Sequence, residues 1–271
     1  MRYFNLYIRY LVRAVSCLFS IYALATFIIG VIIVFPFALI FSFLGKDRGG
    51  NIIYVIGRGW TDLSFLLWGI WHKNIYEASH DRKRQYVFVV NHISYMDIPA
   101  IMKTVRRQRL RVLGKVEPSK IPIFGSIYKD AVVMVDRSTN ESRINSIKEL
   151  MSVIHNGTSI LIFPEGTFNE THQPLIPFFD GAFRIAIETQ TPVKPLLFLD
   201  TYKRLNYRSF FSLMPGRCRA VYLEEVPVEG LTLNDLPMLK EKVYRIMQEK
   251  LISYKAEWIK QDDRKRDTTI Q

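Results

Sequence analysis

The chain has 271 residues, of which 49% are hydrophobic and 23% are charged. This composition excludes a disordered or collagen-like protein and allows one sizeable core, alone or with an appendage. The formal net charge of +12 favours acidic partners, such as phospholipid headgroups, nucleic acid or a phosphorylated or acidic carrier substrate. Cys17 and Cys218 give neither a disulfide framework nor a zinc site, so a reducing cytoplasm is the default.

The N-terminus carries a long apolar run, residues 14–44, without a charged side chain. It is longer than the roughly twenty residues that a helix needs to span a bilayer. A signal peptide is the competing interpretation, but the run is too long and lacks a clear cleavage site. A buried core helix does not fit this length either. We interpret the run as a membrane anchor, although basic residues at both of its ends leave the topology open.

A second apolar stretch, residues 51–71, is interrupted by Arg58 and Asp62. Ionised groups at its centre make it a poor transmembrane span. Its tryptophans at 60, 68 and 71 suit a helix in the headgroup region. Residues 1–72 are therefore predicted to form two membrane-anchoring helices. They form either a hairpin within one leaflet or one span with one interfacial helix, and the sequence leaves both open.

Beyond residue 75 short apolar runs alternate with segments of helical spacing. The predicted strands are 86–90, 110–113, 131–135, 159–163, 193–198 and 220–223. The predicted helices are 93–104, one that begins within 122–127, 141–155, 181–189 and 236–258. This order predicts an α/β fold, a mixed sheet covered by helices, over residues 73–260. Residues 261–271 are predicted to be a polar tail.

The stretch Asn91-His92-Ile-Ser94-Tyr-Met-Asp97 follows the first predicted strand. An ordinary interpretation is available, because Ser94 and Asp97 resemble a helix capping box and His92 then is only a polar turn residue. Its position favours another interpretation, because open α/β sheets place ligand crevices at the carboxyl ends of their strands. There His92 could take a proton from a hydroxyl while Asp97 orients the imidazole.

A second polar cluster, Pro164-Glu165-Gly166-Thr167, follows the apolar run that ends at Phe163. Pro and Gly are routine in turns. However, a second strand with such an ending, and Gly114-Lys115-Val116-Glu117 between the two, exceeds what ordinary turns require. The sequence has no nucleophile elbow, phosphate-binding glycine loop or metal-ligand spacing, so no metal is expected.

Together these blocks resemble the glycerolipid acyltransferases, most closely bacterial 1-acyl-sn-glycerol-3-phosphate acyltransferase. The resemblance rests on four ordered blocks over residues 75–225: Asn91-His92-x4-Asp97, then Gly114-Lys115-x-Glu117 through Gly125 to Asp136-Arg137, then Phe163-Pro164-Glu165-Gly166-Thr167, and Val193-Lys194-Pro195. Each block alone is weak, whereas four blocks in order with compatible spacing are specific.

The resemblance implies a role for each matching residue. His92 is implied to be the general base and Asp97 its orienting partner. The implied substrate-binding residues are Lys115, Glu117, Arg137, Glu165, Gly166, Thr167 and Pro195, with Lys115 and Arg137 as candidates to hold a phosphate. The implied acyl donor is acyl-CoA or acyl-acyl carrier protein, with no other cofactor.

One departure from the family pattern concerns the residues after Glu-Gly-Thr. The family usually continues with Arg-Ser, and the arginine is thought to bind the acceptor phosphate, whereas this chain has Phe168-Asn169. Either Lys115, Arg137 or Arg184 compensates, or the acceptor is another lipid with a free hydroxyl, such as an N-acylated amino-acid lipid or another lysolipid.

The expected protein is a membrane-associated O-acyltransferase that converts a lysophosphatidic acid to phosphatidic acid. It is expected at the cell membrane with its catalytic domain on the cytoplasmic face. A non-catalytic lipid-binding protein is the alternative class, against which the presence of both His92 and Asp97 argues. The basic run from Lys103 to Lys115 is either a solvated face or a surface for membrane lipids, carrier protein or CoA. Nucleic acid is not an expected partner.

Overall fold

The structure, a computed structural model, describes residues 2–122, 124–135 and 140–259. Its helices are α1 Arg2–Ser42, α2 Gly45–Leu67, α3 Asp97–Thr104, α4 Phe124–Ala131, α5 Asn140–His155, α6 Gly181–Glu188, α7 Thr201–Arg204 and α8 Leu236–Ser253. Its strands are β1 Ile70–Tyr76, β2 Val87–Val90, β3 Leu110–Lys115, β4 Val132–Val135, β5 Ser159–Ile162, β6 Val193–Phe198 and β7 Gly216–Tyr222.

The seven strands form one sheet in the order β1-β7-β6-β2-β5-β3-β4. Strands β6 and β7 are antiparallel, and all other neighbours are parallel. The predicted mixed α/β sheet is therefore confirmed. Because β2 to β6 run in the same direction, the turns that follow β2, β3 and β5 meet at one edge of the sheet.

Helices cover both faces of this sheet, as the alternation of side chains along β2 illustrates. Val87 and Val89 pack into a core cluster shared with α5, α6 and α8. Phe88 and Val90 pack on the other face, into a cluster that includes residues of α1, α2 and α3. The N-terminal helices thus form part of the layer that covers the second face.

Helices α1 and α2 form a close hairpin. A Cβ atom at Gly30 of α1 would lie 1.6 Å from the Trp60 ring of α2, so only glycine fits there. Trp68 Nε1 donates to Thr26 Oγ1 at 3.0 Å, and Phe27 contacts both tryptophan rings. Trp60 and Trp68 therefore pack against α1, whereas Trp71 is exposed; their predicted place in the headgroup region stays a prediction.

Within α1, residues Ala14–Ser42 are long and apolar enough to cross a membrane, with a mean hydropathy of 2.8 and only 11% of the most apolar window buried. A long apolar helix normally hides its surface, and this one leaves most of it exposed. The predicted anchor therefore coincides with a helix that has a large unburied apolar surface.

Some boundaries differ from the sequence prediction. Strand β1 was missed, and the predicted domain boundary at residue 72 falls inside it. Buried and exposed residues do not alternate regularly along β1, because this strand lies at the edge of the sheet and pairs only with β7. Helix α3 begins at Asp97 rather than at 93, because the preceding residues form a turn around the Asp97 carboxylate. Arg137 and the predicted tail 261–271 lie outside the described residues.

Candidate active site

The turn after β2 is anchored by Asn91, which is fully buried. Its side-chain amide donates to the Phe198 carbonyl at 3.1 Å and accepts from the Phe198 N–H at 2.8 Å. The amide thus continues the pairing between β2 and β6 past the end of β2. Asn91 belongs to the recognised motif, but its positioning role was not identified from the sequence because its partner lies 107 residues away.

His92 and Asp97 form the predicted pair. His92 Nδ1 lies 2.8 Å from Asp97 Oδ2, and the same oxygen accepts the N–H groups of Ile93 at 2.8 Å and Ser94 at 2.9 Å. Because a carboxylate only accepts, Nδ1 of His92 is the donor and Nε2 keeps its lone pair. Asp97 is fully buried, so it holds the imidazole in one tautomer and orientation.

The ordinary interpretation of this turn is also partly correct. Ser94 Oγ accepts the Met96 N–H at 2.9 Å, and Asp97 satisfies two backbone donors before α3 begins. These are the local bonds expected of a helix start. The same carboxylate therefore shapes the turn and orients His92, so the two interpretations do not exclude each other.

Glu165, in the turn after β5, binds the backbone of His92. Its Oε1 accepts the His92 N–H at 2.8 Å, and its Oε2 accepts the Ile176 N–H at 3.0 Å. Burial raises the pKa of the Glu165 carboxyl to about 8, although both backbone donors act in the opposite direction. With 1% of its surface exposed, Glu165 joins the two turns and does not line the cavity beside His92.

A cavity of about 820 Å³ opens beside His92, and we call it the His92 cavity. Four of the predicted substrate-binding residues line it: Lys115, Glu117, Gly166 and Thr167. Pro195 does not line it, since it lies within β6 paired with Val89. Arg184 does not line it either and pairs with Glu188 on α6. The sequence thus identified the polar rim of this cavity and not its walls.

The walls of the His92 cavity are largely apolar and come from elements far apart in the chain. They are formed by Ile53 and Tyr54 of α2, Ile98, Ile101 and Met102 of α3, Val112 and Leu113 of β3, and Ala131, Val132 and Val135 around β4. An apolar cavity with few polar groups at one end is the usual form of a site for a long apolar ligand. The contribution of α2 was missed because the sequence indicated only a membrane helix.

Aromatic rings surround the imidazole. Phe163 stacks on His92 with ring centroids 3.9 Å apart, and Phe168 contacts it at 4.3 Å. Tyr95 meets the edge of Phe168 at 4.9 Å. The residue that departs from the family pattern therefore lies directly against the candidate base.

In the part of the chain that the structure describes, no group of three or more His, Cys, Asp or Glu side chains could hold a metal ion. A histidine that is oriented by a buried aspartate and faces an apolar cavity, at the carboxyl edge of a mixed sheet, defines a class of α/β proteins equipped for general-base chemistry on an apolar ligand.

Comparisons with known proteins identify the family within this class. The model of the family described as Acyltransferase matches residues 72–199. A putative 1-acyl-sn-glycerol-3-phosphate acyltransferase of Caenorhabditis elegans is 30% identical over 212 residues, which are 73% of this chain and 71% of that protein. The chain belongs to this acyltransferase family.

Other relatives are similar over a shorter part. The 1-acyl-sn-glycerol-3-phosphate acyltransferase of Cocos nucifera is 32% identical over 58% of this chain and 49% of its own length. The alpha form of the human enzyme of the same name is 29% identical over 60% of this chain and 57% of its own length. This chain thus spans about half the length of these two relatives. The crystal structure of the PlsC acyltransferase from Thermotoga maritima superposes with a TM-score of 0.68 over 93% of this chain, at 24% identity, and supports the fold.

Proposed function

We propose that the protein transfers a fatty acyl group from an acyl thioester to the free hydroxyl of 1-acyl-sn-glycerol-3-phosphate, giving phosphatidic acid. The single observation that carries the proposal is the His92–Asp97 pair at 2.8 Å at the mouth of the apolar His92 cavity. The family membership and the names of the relatives support the same reaction.

The proposed mechanism follows from the tautomer of His92. Nε2 takes the proton of the acceptor hydroxyl while the hydroxyl oxygen attacks the thioester carbonyl. The new C–O bond forms, the C–S bond breaks, and the imidazolium returns its proton to the leaving thiolate. Asp97 stabilises the imidazolium between these two steps, as a buried carboxylate does for a neighbouring cation.

The proposed substrates fit the walls and rim of the cavity. An acyl chain would fill the apolar part between α2, α3 and β3, where its burial is favourable. Lys115 lines the same cavity and would face the acceptor phosphate as a cation. The acyl donor would be acyl-CoA or acyl-acyl carrier protein, and the reaction needs no further cofactor.

Contacts along α1 support attachment within one leaflet. Ser20 Oγ accepts the Leu213 N–H at 3.2 Å, whereas Ala38 packs with Ile127 of α4. These points on α1 are about 27 Å apart at 1.5 Å per residue. A helix that touches the α/β domain at both ends would draw that domain into the bilayer if it crossed perpendicularly. We therefore propose that the hairpin lies in the cytoplasmic leaflet of the cell membrane.

Phe168 favours a second candidate acceptor. Its ring lies against His92 where the resemblance places a phosphate-binding arginine. A phenyl ring holds no phosphate, so another lipid hydroxyl, such as that of an N-acylated amino-acid lipid, is the alternative substrate. A non-catalytic lipid-binding protein is less compatible, because it would not require an imidazole oriented by a buried carboxylate.

An acyl-transfer assay tests the proposal. Membranes that contain the protein would receive labelled acyl-CoA or acyl-carrier protein, with lysophosphatidic acid or an N-acylated amino-acid lipid as acceptor. The His92→Ala variant should lose at least about 10²-fold in turnover, whereas His155→Ala, at the exposed end of α5, should not. Phosphatidic acid formed by the wild type supports the proposal. Product from the amino-acid lipid alone would replace the acceptor, and no product with either donor would overturn acyl transfer.

A further inference from the structure

Residues 205–214, which we call the aromatic loop, connect α7 to β7 and lie beside the candidate base. The loop is attached to the turn after β2, because Ser94 pairs with Asn206 and Ser94 Oγ donates to the Leu205 carbonyl. None of the four blocks of the family pattern includes a residue of this loop. Its position nevertheless places it against Tyr95 and Phe168, which line the His92 cavity.

The outer surface of the aromatic loop is apolar and unburied. Phe210 and Phe211 expose 62% and 53% of their surface, and Met214 exposes 37%. Adjacent exposed aromatic side chains on a ten-residue loop are costly in water and are typical of surfaces that contact a partner or a lipid phase. The loop therefore presents an apolar surface that the described part of the chain leaves uncovered.

What covers that surface follows from the neighbouring helix. Ser16 and Ser20 of α1 contact Met214 and Leu213 of the loop. These serines lie at the start of Ala14–Ser42, the segment apolar enough to cross a membrane. The apolar surface of the loop is thus continuous with that of the proposed membrane helix, so both would meet the same lipid surface.

The cationic part of the loop fits a phospholipid surface as well. Arg208 lies over the Tyr207 ring at 5.7 Å and is exposed. Within the described ranges it makes no ion pair with a carboxylate. Aromatic and basic residues in one short segment are characteristic of the interface between hydrocarbon and headgroups. An anionic headgroup is the partner that this charge favours.

A row of ring contacts connects this outer surface with His92. Phe210 stacks on Tyr95 with centroids 4.7 Å apart, Tyr95 meets Phe168 at 4.9 Å, and Phe168 contacts His92 at 4.3 Å. This row forms a continuous apolar wall from the exposed loop to the imidazole. A lipid could move along it without exposing its acyl chain to water.

We propose that the aromatic loop inserts into the phospholipid surface beside α1 and forms the entry by which a bilayer lipid reaches His92. The proposal rests on the proposed function for its second half, the delivery of an acceptor. Its first half, insertion of Phe210 and Phe211 into lipid, does not depend on catalysis and can be measured separately.

Insertion is tested by fluorescence. A polarity-sensitive dye is attached at Phe211→Cys in the full chain, with exposed Cys17 changed to Ser, and the protein is reconstituted in vesicles of phosphatidylcholine and phosphatidylglycerol. Phe179→Cys is the matched control, because Phe179 is 62% exposed against 53% for Phe211 but precedes α6 on the opposite face of the sheet. We expect a blue shift and quenching by spin-labelled lipid at 211 and neither at 179. Equal signals at the two positions would overturn insertion.

Delivery is tested by comparing two physical forms of the acceptor. The double variant Phe210→Ser/Phe211→Ser should lower the ratio of kcat/KM on vesicle-embedded acceptor to kcat/KM on dispersed short-chain acceptor by roughly tenfold, about 1.4 kcal/mol. Phe179→Ser should leave this ratio unchanged. An unchanged ratio in the double variant would overturn the entry role. If the wild type transfers no acyl group at all, the proposed function fails, and the fluorescence result alone decides on the loop.

Discussion

The turns that follow β2 and β5 are neighbours at one edge of the sheet, yet they differ in how closely they follow the family pattern. In the turn after β2, His92 and Asp97 match the pattern and are held by backbone N–H groups. In the turn after β5, Glu165 matches and supports His92 from behind, whereas Phe168 replaces a cation. In the proposed reaction, His92 and Asp97 thus match the family's proton-transfer pair, and the departure from the pattern falls on the acceptor side.

The largest expected effect comes from Asp97→Asn, which tests the turn after β2. Asparagine can keep one oxygen for the three donors, because Oδ1 of Asp97 has no hydrogen-bond partner within the described chain. The charge that stabilises the imidazolium is nevertheless lost. We expect turnover to fall about 10²–10⁴-fold with the fold intact, measured as initial rates of acyl transfer.

Asp200→Asn is the matched control for that loss. Asp200 is also a buried carboxylate, and it binds Arg219 rather than a histidine. We expect Asp200→Asn to lower the midpoint of thermal unfolding without a comparable loss of turnover. Similar losses of turnover in both variants would mean that Asp97 only stabilises the fold.

The next effect concerns the link between the two turns. In Glu165→Gln, an NH₂ group faces the Ile176 N–H that Oε2 now accepts. One buried donor then lacks a partner, which costs about 1–3 kcal/mol. Because Glu165 also holds the His92 N–H, we expect turnover to fall roughly tenfold to hundredfold as the base is displaced. Initial rates and unfolding midpoints in detergent micelles measure both quantities.

Glu165 also gives the wild type a distinctive dependence on pH. Burial raises its pKa from 4.5 to about 8 in the folded protein. The folded state therefore binds this proton more tightly than the unfolded state, so wild-type stability declines as the pH rises from 4.5 toward 8 and levels off above. Glutamine does not titrate. The difference in free energy of unfolding between the wild type and Glu165→Gln should therefore decrease as the pH rises from 4.5 to about 8. A constant difference would show that Glu165 is ionised throughout.

A smaller effect is expected when the missing cation is restored in the turn after β5. Phe168→Arg places a guanidinium beside His92, where it can bind a phosphate through two N–H groups. We expect kcat/KM for lysophosphatidic acid to rise roughly tenfold relative to an uncharged lipid acceptor. Phe168→Leu, which removes the ring without adding charge, should give no such rise. Equal changes for both acceptors would assign Phe168 to packing alone.

The features that the sequence predicted correctly depend on residues that are close together in the chain. The strand and helix pattern of the α/β domain is confirmed because buried strands such as Ser159–Ile162 carry their signal locally. His92 and Asp97 are five residues apart, so their pairing is a local property of one turn. Lys115 and Thr167 were placed at the site by the resemblance, and the structure brings both to the His92 cavity.

The missed features depend on contacts between distant segments. Strand β1 is defined by its pairing with β7, about 146 residues away, in parallel register from Ile70 with Gly216. The wall that Ile53 and Tyr54 contribute to the His92 cavity exists only once α2 packs on the sheet. The aromatic loop carries no motif, and its importance appears only through Ser94 and Ser20, which hold it between the active site and α1.

The smallest expected effect tests whether Lys115, the last residue of β3, has taken over phosphate binding from the turn after β5. Lys115 is exposed at the rim of the His92 cavity, and an exposed cation contributes only about 1 kcal/mol to binding an anion. We therefore expect Lys115→Ala to raise KM for lysophosphatidic acid about fivefold and to weaken its dependence on ionic strength. Lys120→Ala is the control, because Lys120 lies on the 3₁₀ segment Glu117–Lys120 that follows β3 but does not line the cavity. If Lys115→Ala is silent while Phe168→Arg still improves the phosphate-bearing acceptor, Lys115 does not bind the phosphate, and either Arg137 supplies the cation or the natural acceptor carries no phosphate.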